Sequence, residues 1–323
     1  MMRCPIKEKP LVQPSRVSLG FEFPVSLIGA VARRNVERIG EGHVIAVFDG
    51  SFYVETMGEI ACVARDDLGA SPLNILVGAP RTVSWAAAGI RVGARVRFSR
   101  YAFHVAGRLS FTMAGYEIWT PPDFPKPVSR LCVSEGLREL ARISRSNVEQ
   151  GGLIRFADPA YRPVKEERIG FAAAAPVRCL RDWCIAGLRY GSTSSEPNLS
   201  SLGYFVGLGP GLTPSGSDFV GGVMLALTVL GATDMRDRLW SLLRPVVDDM
   251  DNPIMAAHLA AAAEGMGSAA LHRVIDSVVT GDANSLRSCI HGLDAIGHTS
   301  GWDALAGVVC AFDAWYSALP LQH

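Results

Sequence analysis

The chain has 323 residues, of which 49% are hydrophobic and 19% charged, and its formal net charge is zero. This composition is typical of a globular protein, and the length predicts one large domain or two modest ones. Since there is no excess or block of like charge, nothing in the sequence favours nucleic acid or an anionic membrane as a partner. The longest apolar run, residues 219–231, is too short to span a bilayer.

The cysteines and the first residues indicate the compartment. Seven cysteines are scattered without C-x-x-C pairs, as reduced thiols are. Residues 1–13 lack the apolar run of a secretory signal. We therefore expect a cytoplasmic protein.

The first third of the chain predicts short β-strands. Residues 1–25 contain four prolines and predict an irregular lead-in. Beyond them, β-branched and apolar runs alternate with turn residues, and Asp49-Gly50 is typical of a hairpin. The predicted strands are His43–Phe48, Phe52–Thr56, Glu59–Ala64, Asn74–Val77, Thr82–Trp85, Ala94–Phe98, Ala102–Val105 and Leu109–Met113. Seven or eight strands at this spacing predict an antiparallel β-barrel or sandwich.

The remainder of the chain predicts helices. Four prolines within residues 121–127 exclude regular structure there and mark a boundary. The predicted helices are Ser129–Asn147, Phe171–Arg189, Thr213–Leu230, Asp234–Val247, Pro253–Glu264, Ala269–Thr280, Asn284–Ile296 and Ser300–Leu319. We expect an α+β protein with a β-barrel-like domain over residues 1–128 and a mostly helical domain over 129–323.

Two helical stretches repeat each other. Residues 215–227 and 300–312 agree at six of thirteen positions, and each follows a Gly-x-Thr sequence. Both predict a glycine turn, a hydroxyl N-cap and an apolar helix. A helix start presents unpaired N–H groups and the positive end of the helix dipole. Two such starts predict that an anionic ligand is held between them.

The predicted anion-binding residues come from both copies. In the first copy, alternating glycines allow close approach of the backbone, and Thr213 is expected as N-cap with Pro214 at the first helical position. The anion-binding candidates are Gly209, Gly211, Leu212, Thr213, Ser215, Gly216, Ser217, Thr299, Ser300 and Gly301. The alternative is a capped helix without a ligand. The sequence matches neither a Walker A loop nor a Rossmann fingerprint.

Three further residues are candidates for catalysis. Asp218 and Asp303 occupy the same position in the two copies and either stabilise the first turn or act chemically, as metal ligand, general base or acceptor for a substrate N–H. A carboxylate beside a phosphate implies a bridging Mg²⁺ or an amide or cationic group on the ligand. His298 precedes the second helix and is either a local loop residue or a general acid or oxyanion donor.

Other polar residues have simpler interpretations. Asn252, before Pro253, is expected to cap a helix. His258, His272 and His291 lie on amphipathic helices and are expected to be structural.

At these residues the chain resembles the AllH-type family, a subunit of oxamate carbamoyltransferase. The resemblance rests on Gly207–Asp218 and on Gly297–Asp303. It implies a bacterial protein of allantoin nitrogen catabolism that works with two other subunits. Their complex converts oxalurate and phosphate to oxamate and carbamoyl phosphate. The departure is Ser217, where the family usually has an aspartate, so metal or substrate preference can differ.

The motifs predict a small anionic ligand, and the resemblance implies that this ligand is phosphate, carbamoyl phosphate or an oxamate-like acid. For carbamoyl transfer, the N–H groups of the two turns would stabilise the developing oxyanion, and His298 or Asp218 would move the proton. No cofactor is required by this scheme unless Mg²⁺ bridges carboxylate and phosphate. The alternative is a non-catalytic subunit that binds a metabolite while its partner subunits perform the chemistry.

Overall fold

The computed structural model describes residues 21–37, 40–146, 152–191 and 199–318. Residues 1–20 of the predicted lead-in lie outside this part of the chain. The strands are β1 Phe21–Gly29, β2 Glu41–Val47, β3 Ser51–Thr56, β4 Glu59–Arg65, β5 Asn74–Val77, β6 Arg95–Phe98, β7 Ala102–Val105, β8 Leu109–Thr112 and β9 Glu117–Trp119. A short helix, α1 Ala30–Val36, follows β1.

The helices of the second region begin after the proline-rich segment. They are α2 Arg130–Ser146, α3 Arg168–Tyr190, α4 Leu199–Val206, α5 Ser215–Val229, α6 Thr233–Asp248, α7 Pro253–Ala263, α8 Ala269–Thr280, α9 Ala283–Cys289 and α10 Ser300–Ala318. Short 3₁₀ helices lie at Asp66–Leu68, Ile154–Ala157 and Ile290–Ala295. None of the helices in the described residues is long and apolar enough to cross a membrane.

The strands form a closed barrel. The order of hydrogen-bonded neighbours is β5-β4-β3-β2-β6-β7-β8-β1, and β1 pairs back onto β5. Eight strands thus close the ring, and β9 extends the second half of β1 beyond β8. Closure leaves the eight strands without a free edge. The predicted α+β class, with a barrel first and helices after it, is confirmed.

The pairing within the barrel differs from the antiparallel prediction. Strand β1 runs parallel to β8 and β9, and β4 runs parallel to β5, while the other pairs are antiparallel. The prediction was wrong about β1 because Pro24 suggested an irregular lead-in. The strand accommodates this proline, and its register with β5 is irregular between Val25 and Leu27.

Other predicted elements also need correction. Thr82–Trp85 forms turns rather than a strand, and its apolar character is explained by Trp85, which is fully buried against Phe23 and Phe52 in the barrel core. The predicted helix Asn284–Ile296 is divided into α9 and a 3₁₀ helix. Helices α1 and α4 were not predicted. The proposed domain division at residue 128, between β9 and α2, stays a prediction.

The two regions have separate apolar cores. Aromatic side chains, including Phe52, Phe103 and Phe111, fill the barrel. The helical region surrounds α5 and α10, whose side chains are almost all buried. Because both helices are apolar around their circumference, other helices have to cover them. They form the centre of the helical region.

The outer face of the barrel contacts the helices. The backbone N–H of Ala269 donates to the carbonyl of Ala70 over 2.8 Å, and Arg34 forms an ion pair with Glu264 at 2.8 Å. Tyr53 on β3 also reaches His258 on α7. The barrel therefore lies against the part of the helical region that contains the predicted helix starts.

Candidate functional site

Helices α5 and α10 contact each other through reciprocal glycines. A Cβ atom added to Gly222 would overlap the carbonyl oxygen of Ala304, and one added to Gly307 would overlap that of Phe219. Gly222 and Gly307 are equivalent in the repeat, as are Phe219 and Ala304. The repeat is thus a structural one in which each helix makes the same close contact with the other.

This contact brings the two helix starts together. The hydroxyl oxygens of Thr213 and Ser300 lie 2.9 Å apart. Thr213 is not the N-cap that the sequence predicted, because α5 begins one residue later and Pro214 takes the capping position without a side-chain hydrogen bond. The Thr213 hydroxyl instead joins the first copy of the motif to the second.

The two aspartates are held crosswise between the copies. The Asp218 carboxyl accepts hydrogen bonds from Ser300 and Thr213, and the Asp303 carboxyl accepts from Ser215 and Thr299. Each aspartate therefore binds the first serine of the other helix. The backbone N–H of Leu153 also donates to Asp303 Oδ1 at 2.5 Å.

Burial strongly affects both carboxyl groups. It raises the pKa of Asp218 well above the usual value, and the nearby Asp303 charge also raises it. The hydrogen bonds from the hydroxyl donors lower this pKa but do not cancel the rise. The pKa of Asp303 is also raised, mainly by burial. In both residues Oδ2 is buried without a hydrogen-bond partner among the described residues. Such an atom either carries a proton or accepts a hydrogen bond from a group outside the chain, such as a water molecule or a ligand.

A cavity of about 1080 Å³ lies between this pair of helix starts and the barrel. Most of the predicted site residues line it, and they are Gly211, Leu212, Thr213, Ser215, Ser217, Asp218, His298, Thr299, Ser300 and Gly301. Gly209, Gly216 and Asp303 are not among the lining residues. The structure thus brings both motifs to one cavity, while Asp303 lies fully buried behind its wall.

The glycines outside the cavity wall have local roles. Gly209 has a φ of +118°, which favours glycine, and a Cβ there would lie 2.8 Å from the backbone nitrogen of Ser215. A Cβ at Gly216 would overlap the carbonyl oxygen of Phe205. These glycines allow α4, the loop and α5 to approach closely, and their predicted anion contact stays a prediction.

Ser217, the departure from the family pattern, is nearly buried in the cavity wall. Its hydroxyl donates to the carbonyl of Pro214 at 2.7 Å. The described residues include no group of three His, Cys, Asp or Glu side chains suited to a metal ion. Magnesium at this site stays a prediction, and Asp218 is the carboxylate that the motif provides in the cavity wall.

Sequence reasoning missed the barrel side of the cavity. Tyr53 and Arg65 line it from β3 and β4, and His258, predicted to be structural, lines it from α7. The Tyr53 hydroxyl lies 3.2 Å from His258 Nε2. Burial lowers the pKa of His258 to about 4 and raises that of Tyr53, so both are neutral near pH 7. Asp49-Gly50 was the only nearby signal in the sequence, and it indicated a turn rather than a site.

Comparison with known proteins addresses the helical part of the chain. The family model described as oxamate carbamoyltransferase subunit AllH matches residues 205–312, about a third of the chain. No curated protein and no solved structure matches the chain. The matched segment contains the glycine-rich loop, α5 and the start of α10. The AllH family resemblance is therefore confirmed for residues 205–312, which include both joined helix starts.

Proposed function

We propose that the chain is a subunit of a carbamoyltransferase that binds phosphate and a small ureido or 2-oxo acid at the joined starts of α5 and α10. The proposed reaction converts oxalurate and phosphate to oxamate and carbamoyl phosphate. The observation that carries this proposal is the contact between Thr213 and Ser300 on the wall of the cavity. It brings two helix N-termini to one place, as the binding of a compact anion requires.

The helix starts can bind an anion without a lysine. A helix N-terminus contributes ~0.3–1 kcal/mol to an exposed anion and up to about 2 kcal/mol to a partly buried one. Each hydrogen bond to a charged group contributes about 1.5–3 kcal/mol more. The hydroxyl groups of Thr213, Ser215, Thr299 and Ser300, which donate to the two aspartates in this structure, lie beside these starts and would turn towards the bound anion. Phosphate bound there would also place its attacking oxygen beside the organic substrate.

Asp218 is the proposed proton carrier. In the reaction a phosphate oxygen bonds to the ureido carbonyl carbon, the bond from that carbon to the oxamate nitrogen breaks, and the proton lost by phosphate ends on that nitrogen. Asp218 lines the cavity and has a raised pKa, so it can hold and release this proton. Asp303 is fully buried and exposes no surface to the cavity, so we assign it a positioning role. His298 is the second candidate for proton transfer.

The unpartnered oxygen of Asp218 suits a ureido substrate. Oδ2 is buried and lacks a donor among the described residues. An N–H group of the ureido or carbamoyl moiety would supply one, whereas a second carboxylate or phosphate oxygen would be repelled. This explains how an acidic residue can belong to a site for anionic substrates.

Two variants test the proposal in the complex reconstituted with the partner subunits. Asp218→Asn should lower turnover by about 10²–10⁴-fold because the proton carrier is lost. Ser215→Ala should weaken phosphate binding, measured by calorimetry. Asp276→Asn, an exposed change on α8 away from the cavity, is the control.

The outcomes separate an enzyme from a binding subunit. Unchanged turnover in both Asp218→Asn and Ser215→Ala would remove these residues from the mechanism. Phosphate binding that is lost in Ser215→Ala while turnover is unaffected would indicate a regulatory ligand. Turnover by the purified chain alone would show that it carries the complete active site.

A further inference from the structure

We infer that Arg65, on the barrel, binds the carboxylate of the organic substrate through the guanidinium nitrogen Nη2, beside which Gly50 leaves space. The inference rests on the proposed function and deepens it, because it adds a second anion site at the opposite wall of the same cavity. The first site is the pair of helix starts, and the barrel provides the second.

The structure fixes the Arg65 side chain and leaves one guanidinium nitrogen, Nη2, unused. Arg65 ends β4, and its side chain is only 13% exposed. Nε donates to Asp67 Oδ1 at 3.1 Å, and Nη1 donates to the carbonyl oxygens of Asp49 and Val83 at 3.1 and 3.3 Å. Nη2 makes no hydrogen bond within the described part of the chain. A guanidinium that is held through Nε and Nη1 is preorganised to donate from Nη2 to a carboxylate in a charge-assisted hydrogen bond.

Gly50 keeps Nη2 uncovered. A Cβ at Gly50 would lie 3.0 Å from Arg65 Nη2 and 3.0 Å from Leu68 Cδ1. Gly50 is not among the described glycines with positive φ, so the turn does not require glycine for its backbone conformation. The absence of a side chain instead provides space beside Nη2. The Asp49-Gly50 turn therefore has a second role, and both of its residues contact Arg65.

Arg65 is the cationic group that the helix starts lack. Among the described residues that line the cavity, it is the only lysine or arginine. Its ion-pair partner Asp67 is shared with Arg81, whose Nε lies 3.0 Å from Asp67 Oδ2. The Asp67 charge is thus divided between two guanidinium groups, and Arg65 retains attraction for a ligand.

The two anion sites are far enough apart for two reactants. Asp218 lies close enough to Tyr53 for its charge to raise the pKa of the phenol. Ser51 lies two residues before Tyr53 on β3, roughly 7 Å away along the strand, and pairs with Ala64, next to Arg65. An organic acid anchored at Arg65 would therefore direct its other end towards phosphate at the helix starts. A cavity of about 1080 Å³ has room for both small molecules.

The test separates the two anions. Arg65→Gln should weaken oxamate binding to the chain, and raise KM for oxalurate in the reconstituted complex, by about 10–100-fold through loss of charge-assisted hydrogen bonds. Phosphate binding and the KM for phosphate should change by less than about twofold on the same reasoning. Gly50→Ala, which retains Arg65 but crowds Nη2, should act in the same direction. Arg81→Gln serves as the control. It removes the other ion-pair partner of Asp67, and Arg81 does not line the cavity.

Several outcomes would overturn the inference. Normal oxamate binding in Gly50→Ala and Arg65→Gln would exclude Arg65, and equal losses for phosphate and oxamate would show a general rather than a carboxylate-specific effect. Thermal melting identifies variants that fail to fold, and Arg65→Lys, which keeps the charge but loses the planar fork, then replaces Arg65→Gln. If wild type binds oxamate through Arg65 but does not bind phosphate, the proposed reaction fails while the carboxylate site stands.

Discussion

Gly222 on α5 and Gly307 on α10 face one another's helices at equivalent positions of the internal repeat. In each case a Cβ would overlap a backbone carbonyl oxygen and lie 3.0 Å from a backbone nitrogen of the other helix. Backbone atoms cannot move aside as a flexible side chain can. The distance between the two helices, and hence between their N-termini, is therefore set at these glycines.

Alanine at either glycine should separate the helices. We expect Gly222→Ala and Gly307→Ala each to lower the free energy of unfolding by about 1–3 kcal/mol or more, as overpacking does, and to weaken phosphate binding because Thr213 moves away from Ser300. Gly221→Ala is the matched control, since its Cβ would meet Ala262 Cβ at an ordinary 3.5 Å. Denaturant titration and calorimetry measure the two effects. Equal stability of all three variants would show that the helix contact tolerates a side chain.

Asn252 connects the glycine-rich loop to α7, and two substitutions can separate its functions. Its Oδ1 accepts from Met255 N at 3.0 Å, which confirms the predicted N-cap, while its Nδ2 donates to the Leu212 carbonyl at 2.9 Å. Asn252→Ala should cost about 0.5–2 kcal/mol of stability through loss of the cap. Asn252→Asp should retain the cap but lose the bond to Leu212. We therefore expect normal stability and weaker phosphate binding for Asn252→Asp, and similar phosphate affinities in Asn252→Asp and wild type would argue against a role for this bond.

Two buried histidines should make the protein sensitive to acid. Burial lowers the pKa of His258 and of His272 from 6.5 to about 4. Between these values the unfolded chain binds more protons than the folded chain, so stability should fall as pH decreases from 6.5 towards 4. His272→Gln should reduce this slope, measured by denaturant titration across the range, and exposed His104→Gln should not. An unchanged slope in His272→Gln would mean that other groups govern acid unfolding.

Asp218 should have the opposite pH dependence. Its pKa is raised well above 3.8, chiefly by burial, so above this value the folded state binds more protons than the unfolded state. Its contribution to stability is present below the unfolded pKa and is lost as pH rises through the folded pKa. Asp218→Asn should thus gain stability relative to wild type as pH increases, while Asp276→Asn should not. A constant difference between Asp218→Asn and wild type across the range would show that Asp218 ionises normally.

The strands and helices follow from local sequence, but the closure of the barrel does not. The apolar runs between His43 and Thr112 are separated by turn residues, and most of these strands were predicted within a few residues. Strand β1 was not predicted because Pro24 suggested irregular structure. Its parallel pairing with β8 joins segments far apart in the sequence, and nothing in either segment indicates the other as its partner. Trp85 shows the converse error, since apolar residues near turns can fill a core without forming a strand.

The part of the site that lies in the internal repeat was predictable from the sequence. The matching motifs identified the helix starts, and the structure brings Thr213 and Ser300 into contact. The crosswise bonds of Asp218 and Asp303 required the relative position of two helices, which the spacing of residues does not give. Tyr53 and Arg65 reach the cavity only because the outer face of the barrel contacts the helices, and no motif surrounds either residue.

Strand β1 has a consequence for the order in which the barrel can be assembled. Phe21 is paired in register with Leu109, and Leu27 with Glu117, so β1, the earliest of the described strands, stays without these partners until β8 and β9 have been synthesised. Contacts between residues so distant in sequence slow folding. Until then, that edge of β1 is open to other chains, and co-expression with a chaperone should increase the yield of correctly closed protein.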